Sequence, residues 1–373
     1  RDILEEAAAN PQPGASQQIG DLYASFLDEE RANELGAAPL AADLKLIEQV
    51  RQLDDVTKLL GEFARKGIPG LWGSYVDNDP GNPNRYLVNL CQSGLGLPDE
   101  AYYREPKHES IREAYVPHIA QMFEYAGFDA DQARDISFKI MAFETELAGK
   151  HWNVVDTRDS EKTYNLTSYA HLKAMTPSFD FDLWLSGAQL RGDLLEESVV
   201  MMPSFFEKLG EVYHEGNLET IRHWLTWQLI RATAPYLSEN FVNERFAFYG
   251  TVLTGAPVNR ARWKRAVSLV EGSLGELVGQ IYVEKHFSPT AKKRMDELVG
   301  YLIEAYRDSI NNLPWMTEET KVKALTKLDK FTPKIGFPVK WKDYGSIEIR
   351  RDDLVGNTRR VAAWGAAKEL AKI

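Results

Sequence analysis

Trp263 to Ile281 reads WKRAVSLVEGSLGELVGQI, and the spacing of its apolar side chains decides the architecture. Trp263, Val267, Val270, Leu274, Leu277 and Ile281 alternate at intervals of four and three, so all six fall on one stripe of a helix about five turns long. That regularity predicts an α-helix with one buried face. Arg260, Arg262, Lys264 and Arg265 gather at its start, where the positive end of the helix dipole disfavours cations, which predicts an acidic neighbour in the fold.

The same period recurs on both sides. Ile136, Ile140, Phe143 and Leu147 follow Asp129 and Asp131, either of which suits an N-cap. Leu218, Ile221, Leu225 and Leu229 predict another helix, ended or kinked at Pro235. Met295, Leu298, Leu302 and Tyr306 predict one more, interrupted at Leu313-Pro314-Trp315-Met316, after which Thr317 caps a helix through Val322, Leu325 and Leu328. Strand signals are few. Residues 71–76 and 86–91 flank a turn-rich spacer from Asp77 to Asn84 and predict a hairpin with a long connection, and residues 198–202 predict a short strand ended by Pro203. The expected fold is mainly α, a large body of many helices with a short β-hairpin.

Composition bounds the function. Across 373 residues, 44 Lys and Arg face 55 Asp and Glu, a net charge of −11 that argues against binding nucleic acid. A hydrophobic fraction of 44% and an aromatic fraction of 11% describe a globular chain and exclude disorder. The length suits two or three domain-sized units. No run of about 18 apolar residues is free of charge, so no segment reads as membrane-spanning. Cys91 stands alone, which excludes an intrachain disulfide and a thiolate metal site. The chain opens at Arg1 in what reads as the middle of an amphipathic helix and stops at Ile373 among strong helix formers, so it is expected to be a fragment cut at both ends.

A search for chemistry returns little. A zinc peptidase helix needs two imidazoles four residues apart with a glutamate between them, and His108, His118, His151, His171, His214, His223 and His286 contain no such pair. After His214-Glu215, Leu218 occupies the second imidazole's place. Gly250 and Gly255 have the separation of a phosphate loop, but Ala256-Pro257 follows instead of Lys-Ser/Thr, and the segment reads as a turn between helices. Gly94-Leu95-Gly96 begins a dinucleotide fingerprint that Asp99 breaks. The acidic runs Asp28-Glu29-Glu30, Asp54-Asp55 and Glu318-Glu319 read as solvated faces rather than acid/base couples. Asn165-Leu166-Thr167 is a glycosylation sequon, although Asn165 also suits a local turn or cap. No catalytic, cofactor-binding or metal-ligating residue is assigned.

Several separated blocks nevertheless share an order. Ile19-Gly20-Asp21-Leu22-Tyr23-Ala24-Ser25-Phe26-Leu27-Asp28 with Pro39-Leu40, and Gly94-Leu95-Gly96-Leu97-Pro98-Asp99 with Tyr102-Tyr103, come first. Tyr164-Asn165-Leu166-Thr167, Ala247-Phe248-Tyr249-Gly250, Arg262-Trp263-Lys264-Arg265 and Tyr282-Val283-Glu284 with Phe287 follow. Leu313-Pro314-Trp315-Met316 with Glu319-Thr320-Lys321 and Ala324, then Lys334-Ile335-Gly336-Phe337-Pro338 and Trp341, complete the series. Together they resemble the N-terminal half of neprilysin-type zinc metallopeptidases, with a bacterial member suggested by the solitary Cys91.

The resemblance implies a helical lid closing over a thermolysin-like lobe that holds zinc, with the zinc ligands C-terminal to the Ile335-Gly336-Phe337-Pro338 block and outside these residues. Residues 1–344 are then the lid region and 345–373 the start of the connection to the catalytic lobe. The implied function is to enclose oligopeptide substrates for a zinc metalloendopeptidase, the fragment itself being inactive and binding no zinc. The implied partners are oligopeptides and the absent catalytic lobe, with no nucleic acid and no membrane segment in this chain. The compartment is unassigned between bacterial cytoplasm and export as a soluble protein. The alternative is a stand-alone helical interaction protein that binds peptides on an aromatic surface involving Trp72, Trp184, Trp224 or Trp227. Gly94 to Pro98 and Pro333 to Pro338 are expected to be rigid turns.

Overall fold

The computed structural model describes residues 1–373. Nine helices have twelve residues or more: α1 (Ala15–Leu27), α2 (Leu53–Arg65), α3 (Glu109–Tyr125), α4 (Ala130–Ala148), α5 (Leu218–Thr233), α6 (Arg262–His286), α7 (Pro289–Asn312), α8 (Glu318–Asp329) and α9 (Leu354–Leu370). Four strands, β1 (Trp72–Asp79), β2 (Asn82–Gln92), β3 (Leu166–Ser168) and β4 (Glu197–Val200), form one sheet in the order β1-β2-β4-β3. The chain divides into two compact units, residues 1–24 with 263–348, and residues 25–262 with 349–373.

In the larger unit the apolar faces of α2, α3, α4 and α5 enclose a core that contains Phe63, Tyr115, Phe123, Phe143, Trp224 and Trp227. The expected caps are present. Asp129 Oδ1 accepts from the amide of Gln132 to start α4, and Ile136, Ile140, Phe143 and Leu147 are buried along it. Asp28 caps the helix that follows it, and Asp55 accepts from the amides of Arg51 and Gln52 at the head of α2. Glu215 belongs to the same junction: its Oε1 accepts from Leu53 N at 3.0 Å. Asp28 and Asp55, expected on solvated faces, thus serve as helix caps.

The hairpin forms, but with strands extended into the spacer. β1 runs to Asp79 and β2 begins at Asn82, so only Pro80-Gly81 remains as the turn. Asp79 explains the extension, because its carboxylate accepts from Gly81 N, Tyr164 OH and Arg85 Nε at 2.7–2.8 Å and so pins the polar tip. β4 forms where expected, stops before Pro203, and pairs in parallel with β2 (Val88↔Ser198, Leu90↔Val200). β3 was not legible. Its three residues have no alternation of their own and are strand only through pairing with β4. Asn165 Nδ2 makes one local bond, donating to Lys162 O, and one long-range bond, donating to Val200 O beside β4. Gly250 lies inside a π-helix, Phe246–Val252, rather than in a turn; only Gly255 takes a positive φ, +72°.

The smaller unit is organised on α6. Ala266, Val270, Leu274 and Leu277 are buried, whereas Trp263, Val267 and Ile281 are half-exposed, so the buried stripe is narrower than its spacing implied. Leu274 departs from helical geometry (φ −128°, ψ 30°) between Gly272 and Gly275, which bends the helix and takes its ends off a single line. The Ile335-Gly336-Phe337-Pro338 block earns its composition here: Phe337 stacks on Trp341 and meets Phe287 edge-on, and Gly336 has φ +78° with Phe287 3.0 Å from where a Cβ would sit. Gln18 Nε2 donates to Tyr344 O and Ile347 O in the same unit. The helices α7 and α8 form as expected, Thr317 Oγ1 accepting from Thr320 N, yet neither buries a residue. Leu298 and Leu302 are each 51% exposed and Tyr306 64%, at four-residue spacing on one face of α7, and Trp315 in the connection to α8 is 74% exposed.

Candidate functional site

A metal site in this chain would depend on histidine, and three of the seven histidines have well-defined surroundings. His118 Nδ1 lies 2.7 Å from Glu244 Oε1, while its ring stacks on Phe248 and meets Trp227 and Tyr249 edge-on. Its Nε2 is buried among these rings with no partner. Burial lowers its pKa against the pull of Glu244, so the ring is held neutral. His151 bonds Ser93 O through Nε2, and burial pushes it down to about 4. His108 stacks on Tyr102. No group of three or more His, Cys, Asp or Glu side chains is arranged to hold a metal ion. The donors present therefore do not fit the zinc that the resemblance implies. Cys91 is half-buried on β2, its Sγ 3.5 Å from Gly73 O and its pKa raised by burial, the setting of an unreactive thiol.

Gly94-Leu95-Gly96 is a lock. Gly94 O accepts from Trp224 Nε1 at 3.0 Å and from Gln228 Nε2 at 3.2 Å, both on α5. Leu95 O accepts from Arg231 Nη1, and Gly96 O from Tyr249 OH. Glu144 of α4 closes the arrangement: Oε2 accepts from Tyr103 OH at 2.7 Å, Tyr115 OH at 3.0 Å and Gly96 N at 3.2 Å. Fully buried, Glu144 has its pKa raised to about 6 by desolvation, opposed by Arg231 and by the donors just named. Both glycines are required here, because a Cβ at Gly96 would sit 1.7 Å from Tyr115 OH and Gly94 has φ +96°. A carboxyl with a raised pKa is often catalytic, but one buried under this many donors is positional. Trp224 and Trp227 are fully buried and belong to the same lock, which removes them from any ligand-binding surface.

The concave site with apolar walls lies elsewhere in the larger unit. A groove of about 380 Å³ is walled by residues 74–76 of β1, Val88 and Leu90 of β2, Trp184, Leu195, and Ala363, Ala366, Ala367 and Leu370 of α9. Of the four tryptophans considered, only Trp184 reaches it. Arg65, the last residue of α2, also lines it. Nothing in the linear sequence marked Arg65, since β1, α2 and α9 are brought together only by folding. A second cavity of about 440 Å³ is mixed in character, bounded by Leu44, Ile47 and Phe128 as well as by Glu48, Glu219, Arg222 and His223.

Fold and site together define a mainly helical region with a small mixed sheet and no side-chain cluster arranged to hold a metal ion. The chain belongs to peptidase family M13, whose N-terminal profile matches residues 1–338. It is similar to the Mycobacterium tuberculosis zinc metalloprotease ZMP1 in its open state, with 44% identity and a TM-score of 0.93 over 100% of this chain and 58% of that one. Among curated proteins it is 27% identical to mouse endothelin-converting enzyme 1 over 91% of this chain and 45% of that protein. It is 28% identical to the neutral endopeptidase of Lactobacillus helveticus over 86% of this chain and 49% of that protein. The chain thus spans about half the length of the curated relatives it matches. PEPO from Lactobacillus rhamnosis, 20% identical with a TM-score of 0.87, shares the fold. The neprilysin-type resemblance and the mainly α lid fold are both borne out, with a four-stranded mixed sheet in place of a lone hairpin. No helix is long and apolar enough to cross a membrane.

Proposed function

We propose that this chain is the substrate-enclosing part of a zinc metalloendopeptidase that hydrolyses oligopeptides, with the zinc ligands supplied by sequence outside residues 1–373. The observation that carries this reading is similarity along the whole of this chain, at a TM-score of 0.93, to a chain named a zinc metalloprotease, of which this chain covers 58%. Zinc in such an enzyme polarises a bound water and the scissile carbonyl. The residues present here act differently: they surround the peptide, keep out bulk water and folded proteins, and so strengthen every electrostatic contact inside.

Residues 1–344 are the enclosing region in this reading, and 345–373 lead toward the zinc-bearing part, with α9 packed on α2 and β1. The open apolar face of α7 and α8 suits burial against that part, since exposed patches of this kind mark interfaces. Membership of a bacterial enzyme is supported by the mycobacterial and lactobacillar similarities. The test is made on the chain alone, with fluorogenic oligopeptides and metal analysis of protein purified in the presence of zinc. Neither hydrolysis nor stoichiometric metal is expected, and a chelator-sensitive metal at one per chain would overturn the assignment.

A further inference from the structure

The groove between β1 and α9 combines three features that the roles above leave unused. The first is an open strand edge: β1 pairs with β2 alone, so on its other side alternate N–H and C=O groups have no backbone partner, and Ser74 and Tyr75 are exposed. The second is an apolar trough, floored by Val88, Leu90 and Trp184 and flanked by Ala366 and Ala367, with room for a large side chain. The third is Arg65. The residue lines the groove, and its Nε is buried without an acceptor. A donor withdrawn from water and left unpaired is unfavourable unless a ligand supplies an oxygen.

We propose that this groove is a subsite for an extended peptide bearing a large apolar side chain. The peptide adds to the free edge of β1 by main-chain hydrogen bonds, its side chain enters between β2 and α9, and one of its oxygens accepts from Arg65. That oxygen is a main-chain carbonyl or a C-terminal carboxylate, and both present the same acceptor to a guanidinium. The choice of a peptide as occupant rests on the function proposed above. Binding is read without turnover, so a chain that binds peptide but never contributes to hydrolysis would sink that function and leave the subsite standing.

The experiment is isothermal titration of the 373-residue chain with N-acetyl-Leu-Leu-Phe as free acid, as C-terminal amide, and with its internal peptide nitrogens methylated. Saturable binding is expected for the first two, with N-methylation weakening it about tenfold or more by removing strand donors. Arg65→Gln is expected to weaken binding about tenfold, the scale of one charge-assisted hydrogen bond. A larger loss for the acid than for the amide identifies the carboxylate as the acceptor, and an equal loss identifies the carbonyl. Ala367→Trp, on the exposed wall, is expected to fill the trough and abolish binding. Neither variant removes a core contact, so both should unfold with the parent chain. Failure of the folded parent to bind, or binding that neither Ala367→Trp nor N-methylation diminishes, would overturn the proposal.

Discussion

Glu144→Gln isolates the electrostatic cost at the centre of the Gly94–Gly96 lock. In the folded chain the carboxyl is fully buried and its pKa is raised from 4.5 to about 6, desolvation outweighing Arg231, Tyr103, Tyr115 and the Gly96 amide. Because the folded-state pKa is the higher one, folding favours the protonated form. The stability this contributes is complete below pH 4.5 and is lost as pH rises through about 6. At about 1.4 kcal/mol per pKa unit, the loss is about 2 kcal/mol. Glutamine keeps an acceptor oxygen for the two tyrosine hydroxyls and has no proton to release. Urea unfolding followed by tryptophan fluorescence reports on the right place, since Trp224 and Trp227 are part of the lock. Between pH 4.5 and 7.5 the wild type should lose about 2 kcal/mol relative to the variant, while His118, His151 and His223 titrate alike in both and cancel. A flat difference, or a wild type that gains on the variant as pH rises, would refute this account of the lock.

Three further perturbations test the packing. Gly96→Ala drives a methyl into Tyr115 OH, breaking its bonds to Glu144 and Trp227, and should cost about 2–4 kcal/mol in urea unfolding; a change below about 0.5 kcal/mol would show that the loop is not held as described. Asp43→Ala strips a buried carboxylate from Lys66 Nζ at 2.7 Å and Arg359 at 2.6 Å and should cost about 3–5 kcal/mol, with a loss of under about 1 kcal/mol speaking against the pairing. Leu298→Lys with Leu302→Lys, on the open face of α7, should leave the unfolding midpoint in place and reduce self-association in sedimentation velocity, whereas destabilisation on the scale of a core substitution would mean that the face is already covered.

What could be read in advance was what is local. Helix periods, the Asp129 and Thr317 caps, the hairpin and the Pro203 stop each depend on a few neighbouring residues and are present. What escaped the reading depends on distant partners. β3 is a strand because β4 lies beside it, and Asp79 tightens the hairpin because Tyr164 and Arg85 reach it. The Gly94–Gly96 stretch was legible as a rigid turn, but not as the meeting point of Glu144, Trp224, Gln228 and Arg231. Arg65 carried no signal at all, because an unpaired donor is visible only when its surroundings are known. The buried face expected of α6 was half right: the bend at Leu274 turns the regular spacing of the sequence into a shorter buried stripe.

This polypeptide is proposed to enclose a substrate whose bond is cut by groups lying outside it. Complementation tests it most directly: the chain is mixed with the remaining C-terminal portion of the mycobacterial relative, which residues 1–373 do not cover, in the presence of zinc. Hydrolysis of short peptides is expected from the mixture and from neither part alone, with no attack on folded proteins. Equal hydrolysis by the C-terminal portion with and without this chain, or cleavage by this chain on its own, would contradict it.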